Sequence, residues 1–364
     1  MPKTKLCVLA FLLCVVVAFP QVRDPLPVPD IPGYKTLKCD LHMHTVFSDG
    51  EVWPTVRVTE AFRDGLDVIS ITDHAMYNPR GADVKIDLGR PYELIRMAAE
   101  RMGIILIQGI EFGQGDIHAN ALFVTDPNSL RTNDLLVALR GAVKQGAFAF
   151  WDHPGWKQKA EWFPLIAAAY DEKLLHGMEL INGATFYPEA YPWIEGKKLT
   201  IIANSDVHGL VTGRRSPVTL VFARTADAAG VKEALLARRT AAWMGGEVWG
   251  FEEQLRGLWE GAVKVENPEL TWRPGLPGVL LRLHNLSAIP FRFRALEAPP
   301  WFAVSGGELK EEKALGVAVR IGKEAPAGRH QIDLALEITN LHVGPGRNLR
   351  VRLPLRLQAG KSVE

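Results

Sequence analysis

Residues 40–50 read DLHMHTVFSDG, and this stretch places two histidines one residue apart at the end of an apolar run. Because side chains alternate along an extended strand, His42 and His44 project from one face while Met43 projects from the other. The two imidazoles can therefore converge on one point, as metal-binding histidines do. Taken alone, the same pattern also fits a strand that carries two solvated histidines, so the rest of the chain must decide.

Apolar segments typical of β-strands alternate with helix-like segments up to about residue 250. One helix-like segment, PYELIRMAAERMG, has Pro91 near its start and ends at Gly103. This βαβα order predicts an α/β fold, either a barrel or an open parallel sheet, with catalytic groups at the carboxyl ends of the strands. The predicted strands are 37–45, 66–73, 104–112, 119–124, 147–152, 177–182, 199–204 and 217–223.

From about residue 260 the apolar pattern becomes two-fold. Alternate residues from Ile332 to Ile338 and from Leu349 to Leu355 are apolar. This pattern predicts an antiparallel β-sandwich domain appended to the α/β unit. The predicted division of the chain is a signal peptide at 1–18, a linker at 19–35, a barrel at 36–258 and a β-sandwich at 259–364.

The start of the chain joins two lysines to an apolar run from Leu6 to Phe19, a layout typical of a secretory signal. Val16 and Ala18 favour cleavage after Ala18. We therefore expect a periplasmic or secreted protein, and an uncleaved N-terminal anchor is the alternative. Cys39 would be the only cysteine of the mature chain, so no intrachain disulfide is expected.

Composition and charge narrow the choice of partners. The chain has 364 residues, with 47% hydrophobic and 23% charged, which predicts two globular domains. Its 42 basic and 41 acidic residues give no electrostatic footprint for nucleic acid or for an anionic membrane surface. We expect a small-molecule substrate, no nucleic acid partner and no stable membrane association after cleavage of the signal.

Histidines and carboxylates gather where predicted strands end. Seven of the ten histidines lie between residues 42 and 208, and six of these stand at or next to a strand end. Each residue alone has an ordinary explanation, such as a turn residue, a helix cap or a buried histidine. Together they exceed the needs of one zinc site and fit two or three divalent ions, with Zn, Mn or Fe favoured. The candidate metal ligands are His42, His44, Asp49, His74, Glu111, His118, His153, Asp206 and His208.

Five segments in sequence order carry a resemblance to a known family. They are HMHTVFSDG, the TDH at 72–74, the GIE at 109–111, the DHP at 152–154 and the NSDVH at 204–208. This series resembles that of the PHP (polymerase and histidinol phosphatase) superfamily over about residues 36–225. The resemblance implies a distorted (β/α)7 barrel with two or three metals, commonly Mn, Fe or Zn. The stretch from Asp40 to His74, the exported start and the C-terminal β-domain resemble the secreted phosphodiesterase branch, which cleaves small organophosphate diesters.

The resemblance also implies how the ligands are divided. One metal would be held by His42, His44, Glu111 and Asp206. A second would be held by Glu111, His118 and His153. A third would be held by Asp49, His74 and His208. Glu111 would be the bridging carboxylate. Outside this set, Asp40 is expected to orient a ligand imidazole, and His176, at the start of its strand, is expected to be structural.

The predicted reaction is hydrolysis of small phosphodiesters by a metal-bridging hydroxide, since two metals lower the pKa of a shared water. Glu111 and Asp206 would act through the metals, and Arg80, Arg214 or Arg215 would pair with the diester anion. Three alternatives stay open. They are an ester or carbamate hydrolase on the same site, a phosphomonoesterase, and a binding module that grips carbohydrate or a cell-surface partner through its β-domain.

Overall fold

The computed structural model describes residues 22–213 and 217–360, so the predicted signal peptide lies outside the described residues. The first part of the chain alternates strands and helices. Its strands are β1 (Lys35–Asp40), β2 (Val68–Ile71), β3 (Ile105–Gln114), β4 (Ile117–Leu122), β5 (Phe148–Trp151), β6 (Gly177–Asn182), β7 (Thr185–Phe186), β8 (Thr200–Asn204), β9 (Val218–Ala223), β10 (Thr240–Met244) and β11 (Glu247–Gly250). Its helices are α1 (Pro54–Arg63), α2 (Arg90–Arg101), α3 (Leu135–Lys144), α4 (Pro164–Asp171), α5 (Ala190–Lys197), α6 (Ala228–Leu236) and α7 (Glu252–Ala262), with a 3₁₀ helix at Pro127–Leu130.

Seven strands form the wall of a distorted barrel. β1, β2 and β3 pair in parallel, as do β5, β6 and β8, and β4 lies antiparallel between β3 and β5. β8 returns beside β1, where the amide of Asp206 donates to the carbonyl of His42 at 2.9 Å and the amide of Leu41 donates to Asn204 Oδ1 at 2.8 Å. The predicted α/β barrel is confirmed.

The antiparallel direction of β4 determines where His118, one of the predicted metal ligands, lies. His118 lies near the amino end of β4, and the β3–β4 pairing sets it opposite Gly113 near the carboxyl end of β3. Because antiparallel neighbours bring opposite ends together, His118 reaches the same edge of the barrel as the residues that follow the parallel strands.

The second part of the chain is a β-sandwich, as predicted. Its strands are β12 (Val263–Val265), β13 (Glu269–Trp272), β14 (Gly278–Asn285), β15 (Phe291–Glu297), β16 (Phe302–Val304), β17 (Gly307–Leu309), β18 (Ala314–Ile321), β19 (Gly328–Gly344) and β20 (Arg347–Ala359). One sheet has the order β12-β14-β18-β16, and the other contains β13, β20, β19, β15 and β17. The register pairs Ile332 with Leu355 and Ile338 with Leu349, which explains the two-fold apolar pattern.

The two parts share one sheet and one core. β19 pairs in parallel with β11, with Val248 opposite Leu341, and the Tyr191 hydroxyl donates to the carbonyl of His342 at 2.8 Å. Trp259 on α7 packs edge to face against Phe291 of the sandwich. Helix α7 runs across the predicted boundary between residues 258 and 259. Within the described range, no helix is both long and apolar enough to span a membrane.

Removal of residues 260–364 should therefore prevent folding of the barrel and not only delete a docking module. The deletion exposes the β11 edge and the apolar face of α7, and unpaired edges and large apolar patches promote aggregation. We expect the truncated chain to be insoluble, or soluble without a cooperative thermal transition by circular dichroism. A soluble fragment with a sharp transition near that of the full chain would contradict this shared core.

Candidate metal centre

The segment after β1 brings its two histidines to one point. The strand ends at Asp40, and three residues later Met43 forms a parallel bridge with Val207. His42 and His44 are both fully buried, and their Nε2 atoms lie 3.2 Å apart. The predicted convergence of the two imidazoles is confirmed, although they lie just beyond the strand and not within it.

Glu111 on β3 lies at the middle of the cluster and is almost fully buried. Its Oε2 atom is 3.2 Å from His42 Nε2, 3.0 Å from His44 Nε2 and 3.2 Å from His74 Nδ1. Its Oε1 atom is 2.6 Å from His118 Nδ1 and 3.6 Å from His153 Nε2. The two carboxylate oxygens thus face different sets of imidazoles.

Asp206 joins the first of these sets. It has a positive φ of 50°, and its Oδ1 atom lies 3.2 Å from His42 Nε2 and 3.1 Å from His44 Nε2. This oxygen is buried and, among the described residues, no group is aligned to donate a hydrogen bond to it. A buried oxygen that lacks a hydrogen-bond partner and converges with two imidazole nitrogens matches the donor arrangement of a cation site.

Asp49 organises a second group at the mouth of the site. Its Oδ1 atom is 3.2 Å from His208 Nε2, and its Oδ2 atom is 3.4 Å from His74 Nε2. His44 Nδ1 lies 3.7 Å from Asp49 Oδ1, so this group adjoins the group around Glu111. All nine residues predicted from the sequence are therefore brought together, and most of them line one cavity of about 560 Å³.

The cluster strongly attracts positive charge. Burial opposes protonation of His44, but Asp206 and Glu111 outweigh it and raise the pKa of His44 to about 10. Burial would raise the pKa of Glu111, but the positive charge of His74 and His42, with hydrogen bonds from His118 and His153, holds that pKa well below its usual range. Divalent ions would supply the positive charge that imidazolium protons otherwise provide.

Glu179 on β6 fixes the ring of His42, a role that no pattern in the sequence indicated. Its Oε1 atom is 3.0 Å from His42 Nδ1, and its Oε2 atom accepts from the amide of His153 at 2.8 Å. The side-chain amides of Asn182 and Asn204 also donate to Glu179. A carboxylate on Nδ1 leaves the Nε2 lone pair of His42 directed at the cluster, as in many metal sites.

Two aspartates outside the cluster hold its loops. Asp73 accepts from the amide and hydroxyl of Thr45, at 2.7 and 2.6 Å, and from the Ser48 hydroxyl at 2.6 Å, which explains both hydroxyl residues of HTVFS. Asp40, expected to orient an imidazole, accepts from the amide of Ser205 at 3.1 Å and from its hydroxyl at 2.5 Å, and so fixes the residue before Asp206.

His176 fits its predicted structural role. It accepts a hydrogen bond from the amide of Ala149 at 3.1 Å and stacks on Phe148, away from the cluster. Burial is the main reason why its pKa is lowered.

Gly50, which follows Asp49, is required by close packing of the backbone. A Cβ atom at this position would lie 2.5 Å from the carbonyl carbon of His44 and from the amide nitrogen of Thr45. Gly50→Ala should therefore destabilise the fold by about 2 kcal/mol and lower the metal content. Gly196→Ala is the control, since a Cβ on Gly196 in α5 meets nothing within 4 Å and should be neutral or slightly stabilising. Equal melting temperatures for the two variants would contradict this explanation.

The predicted arginines differ in their placement. The Arg80 guanidinium reaches only as far as the Ser48 carbonyl, at 3.5 Å, and Arg80 is not among the described residues that line the cavity. Arg214 and Arg215 lie outside the described residues. Lys157 is the one lysine or arginine among the described lining residues, and it was not among the residues predicted from the sequence.

Comparison with known proteins gives a family match and a solved structure that is similar over most of the chain. A family model of the PHP domain matches residues 40–205. The crystal structure of a two-domain protein from Bacteroides vulgatus, containing a predicted PHP-like metal-dependent phosphoesterase, superposes with a TM-score of 0.84. The two sequences are 38% identical, and the match covers 92% of this chain and 99% of that chain. Among curated proteins no match is found.

Two other solved structures are similar over part of the chain. An amidohydrolase from Chromobacterium violaceum is 15% identical, with 47% of this chain and 87% of that chain covered and a TM-score of 0.37. A lesion-specific endonuclease from Pyrococcus furiosus is 14% identical, with 61% of this chain and 60% of that chain covered and a TM-score of 0.42. The family model and the two-domain relative, together with the motif series around Glu111, establish that this chain belongs to the PHP family.

Proposed function

We propose that this chain is a metal-dependent hydrolase of small phosphodiesters. The observation that carries the proposal is the position of Glu111, whose two oxygens face different imidazole sets. A carboxylate in this position suits a bridge between two cations a few ångströms apart, as in two-metal phosphoryl-transfer sites. The PHP-like phosphoesterase in the Bacteroides vulgatus relative supports a phosphate ester as the substrate.

We assign the ligands in three groups, in keeping with the distances. The first group is His42, His44, Glu111 and Asp206. The second is Glu111, His118 and His153, which meet at Glu111 Oε1. His74 also clusters with Glu111 and His118, and His153 also clusters with His42 and Asp206. The third is Asp49, His74 and His208, with His44 adjoining. The donor set of imidazoles and carboxylates suits Zn, Mn or Fe, in two or three positions.

Bound divalent ions would supply Lewis-acid activation of water and neutralise the charge on the phosphoryl oxygens. Hydrogen bonds within the chain orient the ligand side chains towards the proposed metal positions. The Ser48 hydroxyl donates to Asp73 at 2.6 Å, so it can accept from His44 Nδ1 at 3.2 Å. That contact places the remaining ring proton on Nδ1 and directs His44 Nε2 towards Glu111 and Asp206.

We also propose that the protein is exported from the cytoplasm. The lysines and the apolar run at the start of the chain support export, and a periplasmic or secreted hydrolase would act on diesters that reach the cell from outside.

The test compares three chromogenic substrates on chain reconstituted separately with Mn, Zn or Fe. We expect kcat/KM for bis(4-nitrophenyl) phosphate to exceed that for 4-nitrophenyl phosphate and 4-nitrophenyl acetate at least tenfold, with no turnover after the metal is stripped. Turnover of the acetate alone would favour the ester or carbamate hydrolase. Preference for the monoester would favour the phosphomonoesterase.

A further inference from the structure

A tight turn after β5 carries two residues back over the cavity. The amide of Trp156 donates to the carbonyl of His153 at 2.9 Å, which closes the turn HPGW directly after a metal-ligand candidate. The Trp156 ring packs against His118 and His153, with ring centroids 5.1 and 5.3 Å apart. Trp156 is therefore fixed beside the second ligand group.

Lys157 is held on this ring. Its Nζ atom lies 3.7 Å from the centroid of the Trp156 ring, well within the range of a cation–π contact. The contact restrains a long side chain that would otherwise sample many rotamers. The result is an ammonium group kept at the edge of the cavity that contains the metal-ligand candidates.

The backbone of Lys157 adopts a conformation that lysine disfavours. Its φ is 57°, and eight described non-glycine residues have a positive φ. Three of the eight, His153, Lys157 and Asp206, line the same cavity. Such conformations tend to occur where the surrounding structure requires a side chain in one position, often at functional sites. Lys157 shares this property with two of the proposed metal ligands.

The rest of the described cavity wall provides no other lysine or arginine to pair with an anionic ligand. The described lining includes the carboxylates of Asp49, Glu111 and Asp206, which the metals would neutralise. Tyr77, 57% exposed, forms another part of the wall and offers an apolar ring. An anionic ligand entering this cavity thus has Lys157 as its one lysine or arginine partner among the described lining residues.

We propose that Lys157, held on the Trp156 ring, binds a non-bridging oxygen of the substrate phosphate, so that the site selects diester anions over neutral esters. This inference rests on the proposed phosphodiesterase function and identifies the residue that favours an anionic substrate over a neutral one. Lys157 thereby takes the role that was predicted for Arg80, Arg214 or Arg215.

The test uses the metal-loaded full chain and four variants: Lys157→Gln, Lys157→Arg, Lys157→Gly and Lys159→Gln. We expect Lys157→Gln to raise about tenfold both KM for bis(4-nitrophenyl) phosphate and Ki for the unreactive anion diethyl phosphate. Lys157→Arg should retain most of the affinity. Lys159→Gln is the matched control, since Lys159 is exposed, is not among the described lining residues, and should leave both constants unchanged.

Lys157→Gly separates this role from folding. Glycine adopts the positive φ without strain, so this variant should melt at or above the wild-type temperature while KM and Ki rise as in Lys157→Gln. Values of KM and Ki within twofold of wild type in Lys157→Gln would overturn the proposal.

The two proposals fail in distinguishable ways. If the wild-type chain does not hydrolyse the diester, the proposed function fails, and calorimetric binding of diethyl phosphate then tests Lys157 alone. A tenfold weaker Kd in Lys157→Gln would still support Lys157 as the anion-binding residue, and an equal Kd would overturn that role.

Discussion

Glu111→Gln should lower kcat for bis(4-nitrophenyl) phosphate by about 10³-fold and remove at least one metal per chain. The substitution keeps the size of the side chain but leaves one acceptor oxygen and no charge where both oxygens face imidazoles. Loss of groups that only orient a ligand costs roughly 10- to 100-fold, so loss of a bridging ligand should cost more. The measurement is steady-state turnover together with metal analysis by mass spectrometry.

Glu179→Gln is the graded comparison for this variant. Glu179 is buried like Glu111, but it contacts the Nδ1 atom of His42 and the backbone amide of His153. We expect a fall in kcat of about 10- to 100-fold with most of the metal retained. A Glu111→Gln enzyme with wild-type metal content and turnover would rule out Glu111 as the bridge.

Arg57→Met should destabilise the chain by about 4 kcal/mol, because Arg57 is a fully buried cation that ties two ligand loops together. Its guanidinium donates to the carbonyls of His44 at 2.9 Å and His208 at 2.7 Å, and to Glu60 Oε2 at 2.8 Å. The carbonyls of Val207 and Gly209 accept from it as well. We expect the melting temperature to fall by about 5 °C and the metal affinity to weaken, as measured by calorimetry and metal titration.

The matched control for Arg57 is another arginine–glutamate pair with the same i, i+3 spacing. Arg90 and Glu93 on α2 are 3.1 Å apart with side chains 50% and 65% exposed, so Arg90→Met should cost less than about 1 kcal/mol. Arg57→Lys should recover little of the lost stability, since one ammonium cannot reach all the acceptors to which the planar guanidinium donates. If Arg57→Met and Arg90→Met melt alike, the loops do not depend on Arg57.

The fold and the ligand cluster were largely predictable because both depend on local pattern. Buried parallel strands are short apolar runs, and residues at their carboxyl ends meet at one edge, so the positions of His74, Glu111 and Asp206 could be inferred from sequence order. The two-fold apolar pattern of β19 and β20 predicted the sandwich in the same way.

The supporting residues could not be predicted, because their roles depend on contacts between distant segments. Glu179 lies inside the apolar strand MELIN, where a glutamate gives no signal of what it faces. Arg57 occupies a helix, where arginine is usually solvated, yet this face of α1 packs under the ligand loops. Lys157 lines the cavity directly after the turn from His153 to Trp156, and its φ of 57° could not be read from the sequence.

The relation between the two domains also depends on long-range pairing. The parallel contact of β11 with β19 joins residues about 90 positions apart in sequence. The apolar pattern of either strand does not indicate which other strand it pairs with. For the same reason, the boundary predicted at residues 258 and 259 falls within α7.

The most direct test of the central claim is the metal content of the purified full chain after reconstitution with Mn, Zn or Fe and removal of free ions. We expect at least two tightly bound ions per wild-type chain, and at least one fewer in Glu111→Gln. Less than one ion per wild-type chain with every metal would contradict the proposed centre around Glu111.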